Sequence, residues 1–364
     1  MKSVVSAVAG ARADAALSRM AIGVDEQGRL PLPWLGDALA RAKAMDHAHA
    51  LLLCGPAGAG HLEMALLLAQ RWLCEVGDQA ARPCGRCGSC HLLRTRVHPD
   101  LLIVVPDALR VKLGWADEDG AAPKSETKPS RDIRVEQVRQ AITWSQQTSG
   151  RGRGKFLLLH PANALNTVAA NALLKTLEEP PGTLRLLFTS TDPDALLPTV
   201  RSRLQRLTLP LPAASEALAW LATRGISEPS ALLALAGGSP IEALALIEEG
   251  VTADWVAALP RHVAAGDAAP LRGRTIPRVV ELLIKLAHDA VAVSVSALPR
   301  YFPQASVLPV ADLQAWVEWQ RALLHTSRYD EHPWNAPLLI ESLVSHGRRV
   351  WSDAKAARQG HRPA

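Results

Sequence analysis

Four of the five cysteines in this chain fall between residues 74 and 90. In Cys84-Gly85-Arg86-Cys87-Gly88-Ser89-Cys90, three thiols stand at two-residue spacers, and the glycines permit the tight turn that gathers sulfurs about one ion. Cys74, at the end of a predicted helix, can complete a tetrahedron. The spacing predicts a structural Zn²⁺ site with Cys74, Cys84, Cys87 and Cys90 as ligands. His91 in place of one thiol, or a redox role, are the alternatives. Nearby Arg82 and Arg86 would temper the charge of four thiolates. A closed four-ligand shell leaves no place for substrate, so no catalysis is expected there. Cys54, inside an apolar run, reads as a small buried hydrophobe.

A second group is built on glycine. Gly55-Pro56-Ala57-Gly58-Ala59-Gly60 follows a predicted strand and opens a predicted helix, the setting of a phosphate-binding loop. Such glycines let backbone N–H groups converge on an anion at a helix N-terminus. A working loop continues with Lys, for the β- and γ-phosphates, and Ser or Thr, for Mg²⁺. Here His61 and Leu62 stand in those places. The strand Phe156–Leu159 should end in acidic residues that orient Mg²⁺ and water; it ends in His160-Pro161. Neither nucleotide binding at Gly55, Gly58, Gly60, His61 and Leu62 nor ATP hydrolysis by this chain is therefore expected. Residual anion binding or weak nucleotide binding is the weaker alternative.

Two basic features complete the chemistry. Arg203, in Pro198-Thr199-Val200-Arg201-Ser202-Arg203, could stabilise γ-phosphate charge in a neighbouring site, or simply form a surface salt bridge. Arg151, Arg153 and Lys155 could contact nucleic acid, but interspersed glycines favour an exposed turn.

The elements that must position these residues can be read from periodicity. Unalternated apolar runs at 50–54, 101–105, 156–159, 184–189 and 206–209 predict parallel strands covered on both faces. Helices are predicted at 35–45, at 63–74, after Arg134 (Val135, Val138 and Ile142 on one face), and at 167–179 with Val168, Ala172, Leu173 and Leu177 inward. Strands alternating with helices make an α/β domain. Residues 1–32 read as a poorly ordered extension, with Met20 a possible start, and 106–131 as a flexible polar insertion. Beyond Pro210-Leu211-Pro212 the pattern is helical: a small domain at 212–250, a linker at 251–275, a further helical domain at 276–352 and a polar tail at 353–364. In the last domain Val280, Leu283, Ile284, Ala287, Leu313, Val317 and Leu324 form the expected apolar faces.

With 364 residues and a net charge of +5, the chain has room for several domains and no obligatory polyanionic partner. The best apolar stretch, 279–298, contains Glu281, Lys285, His288 and Asp289, so no membrane span or membrane partner is expected. The N-terminus lacks a convincing signal peptide, and clustered cysteines in an unexported chain favour metal over disulfides; the expected location is cytoplasmic.

Together these residues resemble the delta-prime family of bacterial DNA polymerase III clamp-loader subunits. The resemblance rests on 47–53, the altered loop 55–62, the four cysteines, His98-Pro99-Asp100, Asn171-Ala172-Leu173-Leu174-Lys175-Thr176-Leu177-Glu178-Glu179-Pro180-Pro181, Thr191-Asp192-Pro193 and Arg201-Ser202-Arg203. It covers residues 33–250 well and rests beyond that mainly on 335–343. It implies an AAA+ domain at 33–211 with an inserted zinc module, a helical lid and a C-terminal collar. It also implies a hetero-pentameric ring with gamma/tau and delta subunits that loads a sliding clamp on primed DNA. By the same resemblance Arg203 is an arginine finger acting in trans, although Leu204 replaces the motif's Cys, and Ile241 stands where active relatives carry a nucleotide-sensing Arg. An active gamma/tau-like ATPase and a zinc-dependent nucleic-acid-binding module are the alternatives. Against the latter, residues 74–91 contain no Phe, Trp or Tyr on which a base could stack.

Overall fold

The computed structural model describes residues 23–113, 115, 129–226, 228–328 and 334–352, which fall into two compact units divided in sequence between Ala213 and Ala214. The first is α/β. Strands β1 (Ala50–Cys54), β2 (Leu101–Val104), β3 (Lys155–Leu159), β4 (Leu184–Ser190) and β5 (Gln205–Thr208) form one parallel sheet in the order β2-β3-β4-β1-β5. β1 and β3 are buried along their whole length, as apolar runs without alternation require. Parallel strands cannot be joined by hairpins, so helices carry the crossovers. They are α1 (Leu35–Lys43), α2 (His61–Leu73), α3 (Gly88–Arg94), α4 (Asp107–Lys112), α5 (Val135–Ser145), α6 (Thr167–Glu178) and α7 (Pro198–Arg201). From β1 the chain runs to the far edge, returns through β3 and β4, then passes over β1 to β5. In α/β sheets with such a reversal, ligands bind outside the carboxyl ends of the strands. A parallel sheet, a glycine turn from β1 into α2, and a cysteine cluster inserted before β2 make up the AAA+ arrangement that the resemblance implies.

Every residue of α2 except Glu63 is buried. A helix buried all round needs cover on its outer face. Residues 24–32, expected to be poorly ordered, provide part of it: Val24 and Leu32 are buried, and the Gln70 amide accepts from Val24 N (2.6 Å) and donates to Val24 O (3.2 Å). A buried amide needs such partners, which makes this segment part of the fold. Residues 1–22 lie outside the described residues, as do most of the 106–131 insertion and the tail from 353. The start of that insertion is not a loop. It forms α4, whose first-turn Asp107 accepts from Arg134 Nη2 at 2.7 Å.

In α6 the buried face is Ala169, Ala170, Leu173 and Leu177, whereas Val168, expected inward, is 61% exposed. Asn166 caps the helix by accepting from Ala169 N (2.8 Å), and this start places Val168 on the solvent side of the first turn.

The second unit is helical: α8 (Ala214–Ala222), α9 (Pro229–Leu235), α10 (Pro240–Glu248), α11 (Ala253–Ala265), α12 (Ile276–Ser294), α13 (Leu313–Arg328) and α14 (Ala336–Ser352). α11 stands where a linker was expected. Thr252 caps it, and Val256, Leu259 and Val263 are buried along one face despite Pro260 within the helix. In α13 the buried stripe is Ala315, Trp319, Leu323 and Thr326, while Leu313 is 65% exposed and Leu324 is also exposed, so the expected face is corrected. Trp319 fixes the register. It is fully buried, donates to Leu343 O (2.9 Å) and meets Trp351 edge-on at 5.7 Å. Gly347 makes this approach possible, since a Cβ there would sit 2.8 Å from the Trp319 ring. Asp289 is fully buried and accepts from the amides of Arg300, Tyr301 and Phe302. Among the described residues no single helix is long and apolar enough to cross a membrane; α9 and α10 reach that composition only as a pair bent by 103°.

Candidate functional site

The glycine loop leaves the carboxyl end of β1 and enters α2. Gly60 adopts φ +95° as the N-cap, and a Cβ there would meet Leu32 Cδ1 at 2.7 Å, so neither the backbone nor the space suits another residue. His61 is only 7% exposed. Burial pushes its pKa below the ordinary 6.5, only partly offset by a bond to the Gly55 backbone. His160, at the end of β3, shares a 2.6 Å hydrogen bond with Thr189 Oγ1. Burial, and then the proximity of His61, bring its pKa down to about 4. Two imidazoles held neutral therefore stand where a phosphate loop would place an ammonium and a metal-orienting carboxylate. Leu62 is buried and has no group to coordinate a metal.

The histidines make a pH prediction. Between the unfolded pKa near 6.5 and the folded value near 4, the unfolded chain binds more protons at position 160. Stability from neutral His160 is thus complete above pH 6.5 and is lost as pH falls toward 4, with a full span of about 3 kcal/mol. Denaturant unfolding at pH 7 and pH 5 should show a smaller acid loss in His160→Gln, by about 2 kcal/mol. Equal losses in both proteins would contradict the assignment.

The four cysteines come together as their spacing predicts. Cys74 follows the last turn of α2, and Cys87 caps α3 by accepting from Cys90 N at 3.5 Å. Cys84 Sγ accepts from the amides of Arg86 (3.4 Å) and Cys87 (3.3 Å). All four sulfurs lie within 4.8 Å of one another, with Cys74–Cys87 and Cys84–Cys90 at 3.9 Å. A tetrahedron with metal–sulfur bonds of about 2.3 Å has edges near 3.8 Å, so the set fits one metal ion. Burial opposes ionisation of Cys84, but backbone amides and neighbouring thiols pull it to about 7. Burial drives Cys90 and Cys74 the other way. His91 is exposed and outside the set, and Cys54 is buried on β1 as expected. Arg82 donates to the carbonyls of Val76 (2.6 Å) and Gly77 (3.1 Å).

His98-Pro99-Asp100, known from the sequence only as part of a resemblance, has a structural task. His98 Nε2 is 2.5 Å from Ser89 Oγ in α3, and buried Asp100 accepts from Gly150 N (2.7 Å) and Arg151 N (2.9 Å). Arg151 Nε then reaches Glu75 at 2.6 Å, beside Cys74. The segment fastens the cysteine module to the turn before β3.

The basic trio around that turn is not one patch. Arg151 is spent on Glu75, and Lys155 is buried, with Nζ 3.0 Å from Trp144 O and 4.0 Å from the Trp144 ring centroid. Arg153 faces elsewhere, into a cleft with Arg71, Arg82 and Arg185.

Arg203 follows α7 at the surface, with its side chain 35% exposed. Its Nε donates to Glu178 Oε1 (2.8 Å), its Nη2 touches the same oxygen, and its Nη1 donates to Thr199 O (2.7 Å). Glu178 ends α6 and belongs to the Leu177-Glu178-Glu179-Pro180-Pro181 string, so the motif that terminates the helix also holds this guanidinium. Arg201 pairs with Asp194.

A family model described as DNA polymerase III, delta subunit, matches residues 37–213. The DNA polymerase III subunit delta' of Pseudomonas aeruginosa is 42% identical over 210 residues, 57% of this chain and 58% of that protein. The corresponding Escherichia coli subunit is 30% identical over 275 residues, 71% of this chain and 75% of that protein. The chain belongs to the delta-prime family of DNA polymerase III subunits. It spans just over half the length of the P. aeruginosa delta-prime relative and three quarters of the E. coli one. DNA polymerase III subunit tau of E. coli is similar over a shorter stretch, 34% identical across 155 residues. The range matched by the family model, 37–213, spans the loop, the cysteines and Arg203.

Proposed function

We propose that this chain is a non-hydrolysing subunit of a DNA polymerase III clamp loader. It assembles with gamma/tau and delta subunits in a hetero-pentameric ring that places a sliding clamp on primed DNA. The observation that carries this reading is the replacement of the loop's Lys and hydroxyl by buried His61 and Leu62, with partly buried His160 where the acidic residue would stand. Phosphoryl transfer depends on positive charge and Mg²⁺ at that position, and this chain supplies neither. It contributes rigidity and one arginine instead.

Arg203 acts in trans. Its anchor on Glu178 is exposed and costs little to break, so a neighbour's γ-phosphate can displace the carboxylate. Leu204 in place of the motif's Cys leaves the guanidinium chemistry untouched. Cys74, Cys84, Cys87 and Cys90 hold a structural Zn²⁺ that braces α2 against α3. Residues 33–211 serve as the AAA+ domain and 212–250 as the lid, where Ile241 cannot sense nucleotide; 276–352 serve as the ring-forming collar, and the protein works in the cytoplasm. Co-expression with gamma/tau and delta tests the assignment. A ring that co-purifies, and whose clamp- and DNA-stimulated ATP turnover requires this chain, is expected. Failure to co-purify, or turnover indifferent to its presence, contradicts it.

A further inference from the structure

At the amino-terminal ends of β3 and β4, a cleft of about 410 Å³ is lined by Arg71, Arg82, Arg153 and Arg185, with Asp46 as the lone acid among the described lining residues. The glycine loop lies at the opposite, carboxyl ends of the parallel strands, roughly 15 Å or more away by strand length. Four elements supply the arginines: α2, the loop before Cys84, the turn before β3, and the start of β4.

Four guanidinium groups against one carboxylate leave a net charge of three. Asp46 is already committed, since its Oδ2 accepts from Arg71 Nη2 and its Oδ1 from Trp72 Nε1, both at 2.8 Å. Arg82 is held by carbonyls alone. Arg71 is 5% exposed, yet its Nε has no acceptor in the protein; the same holds for buried Arg153 Nε and Arg185 Nη1. Each such donor costs on the order of 1–3 kcal/mol if left unmade, and three of them belong to residues that line this one cleft. Burial and the nearby Arg71 charge even lower the Arg185 pKa against the pull of Asp46. Among the described lining residues no second carboxylate offsets this excess, and an external anion would.

The chemistry narrows the anion. Planar, forked donors converging from several elements match the oxygens of a phosphate. A net charge of three exceeds what one carboxylate neutralises and suits two adjacent phosphates. A nucleobase is not expected to stack here, because Trp72 packs one face on Phe156 at 5.1 Å and carries the Arg185 guanidinium at 4.7 Å.

We propose that this arginine cleft is a second anion site of the α/β unit, one that binds a pair of neighbouring phosphates. Their source is either free pyrophosphate or consecutive backbone phosphates of nucleic acid. This site does not depend on the clamp-loading role, and its failure would leave that role standing.

The test uses the full-length chain at fixed ionic strength. Calorimetric titration with sodium pyrophosphate and anisotropy titration with a labelled primed DNA separate the two sources. Binding of at least one probe is expected, weakened tenfold or more in Arg153→Gln and in Arg185→Gln. Arg139→Gln, which removes the same charge from an exposed position on α5, should bind as the parent does. Arg153 sits in a glycine turn, so Arg153→Gln is expected to fold even if Arg185→Gln does not. The bound probe should also raise the melting temperature of the parent but not of Arg153→Gln. Pyrophosphate binding alone assigns a free anion, and DNA binding alone assigns the backbone; either supports the site. Binding of neither probe, or binding that Arg153→Gln leaves unchanged, overturns it.

Discussion

In a ring reconstituted with gamma/tau and delta subunits, Arg203→Ala is expected to slow hydrolysis at the adjoining ATP site on the order of 10³-fold. Total turnover should fall to that of the remaining sites. The size of the effect follows from the chemistry, since a guanidinium aimed at the transferring phosphoryl group stabilises charge that develops only in the transition state. The same substitution should hardly touch the fold. The Arg203–Glu178 pair is exposed on both sides, and such pairs contribute about 0–1 kcal/mol. A collapse of single-turnover hydrolysis with intact assembly and an unmoved melting temperature is therefore the expected signature. Arg203→Lys should rescue little, because an ammonium cannot reproduce the forked contact. Unchanged hydrolysis in Arg203→Ala would remove the arginine from the mechanism.

Stripping the metal, or replacing Cys84 and Cys87 together with serine, should have the largest effect on stability. The cluster ties the end of α2 to the 84–90 turn, and that turn touches residues 23–32: a Cβ on Gly85 would lie 1.9 Å from Asp25 O. Loss of the ion would leave four thiols crowded together and release both contacts. Zinc-finger peptides gain about 10–16 kcal/mol from their ion. Here Glu75–Arg151 and Ser89–His98 retain part of the module, so a loss of about 3–5 kcal/mol is the better expectation. That corresponds to a fall of about 10 °C in melting temperature. Metal analysis should find one zinc per chain, and thermal melts before and after chelation should show the drop. A metal-free chain that melts at the same temperature would contradict the assignment.

The parallel sheet was readable because strands covered on both faces tolerate nothing but apolar residues, and Leu51–Leu53 and Phe156–Leu159 leave no other reading. Helix faces were less secure where apolar residues lie on two sides. In α13 both Leu313 and Trp319 fit a helical stripe, and contacts with the distant Leu343, Gly347 and Trp351 select Trp319. In α6 small alanines carry the packed face and give a weaker hydrophobic signal than the exposed Val168. α11 was hidden by Pro260, and residues 24–32 by having their partner, Gln70, far along the chain. The candidate site shows the same division. Cysteine spacing and the missing Lys and acid are local and could be read directly. The Glu178 anchor of Arg203, the task of Asp100 and the convergence of four arginines join residues dozens of positions apart. No local pattern encodes them.

By itself this chain is expected to make no use of ATP. Titration of the isolated protein with MgATP, read by calorimetry and by phosphate release, tests it most directly. No saturable binding in the micromolar range and no Mg²⁺-dependent turnover are expected; micromolar affinity accompanied by steady phosphate release would contradict a non-hydrolysing subunit.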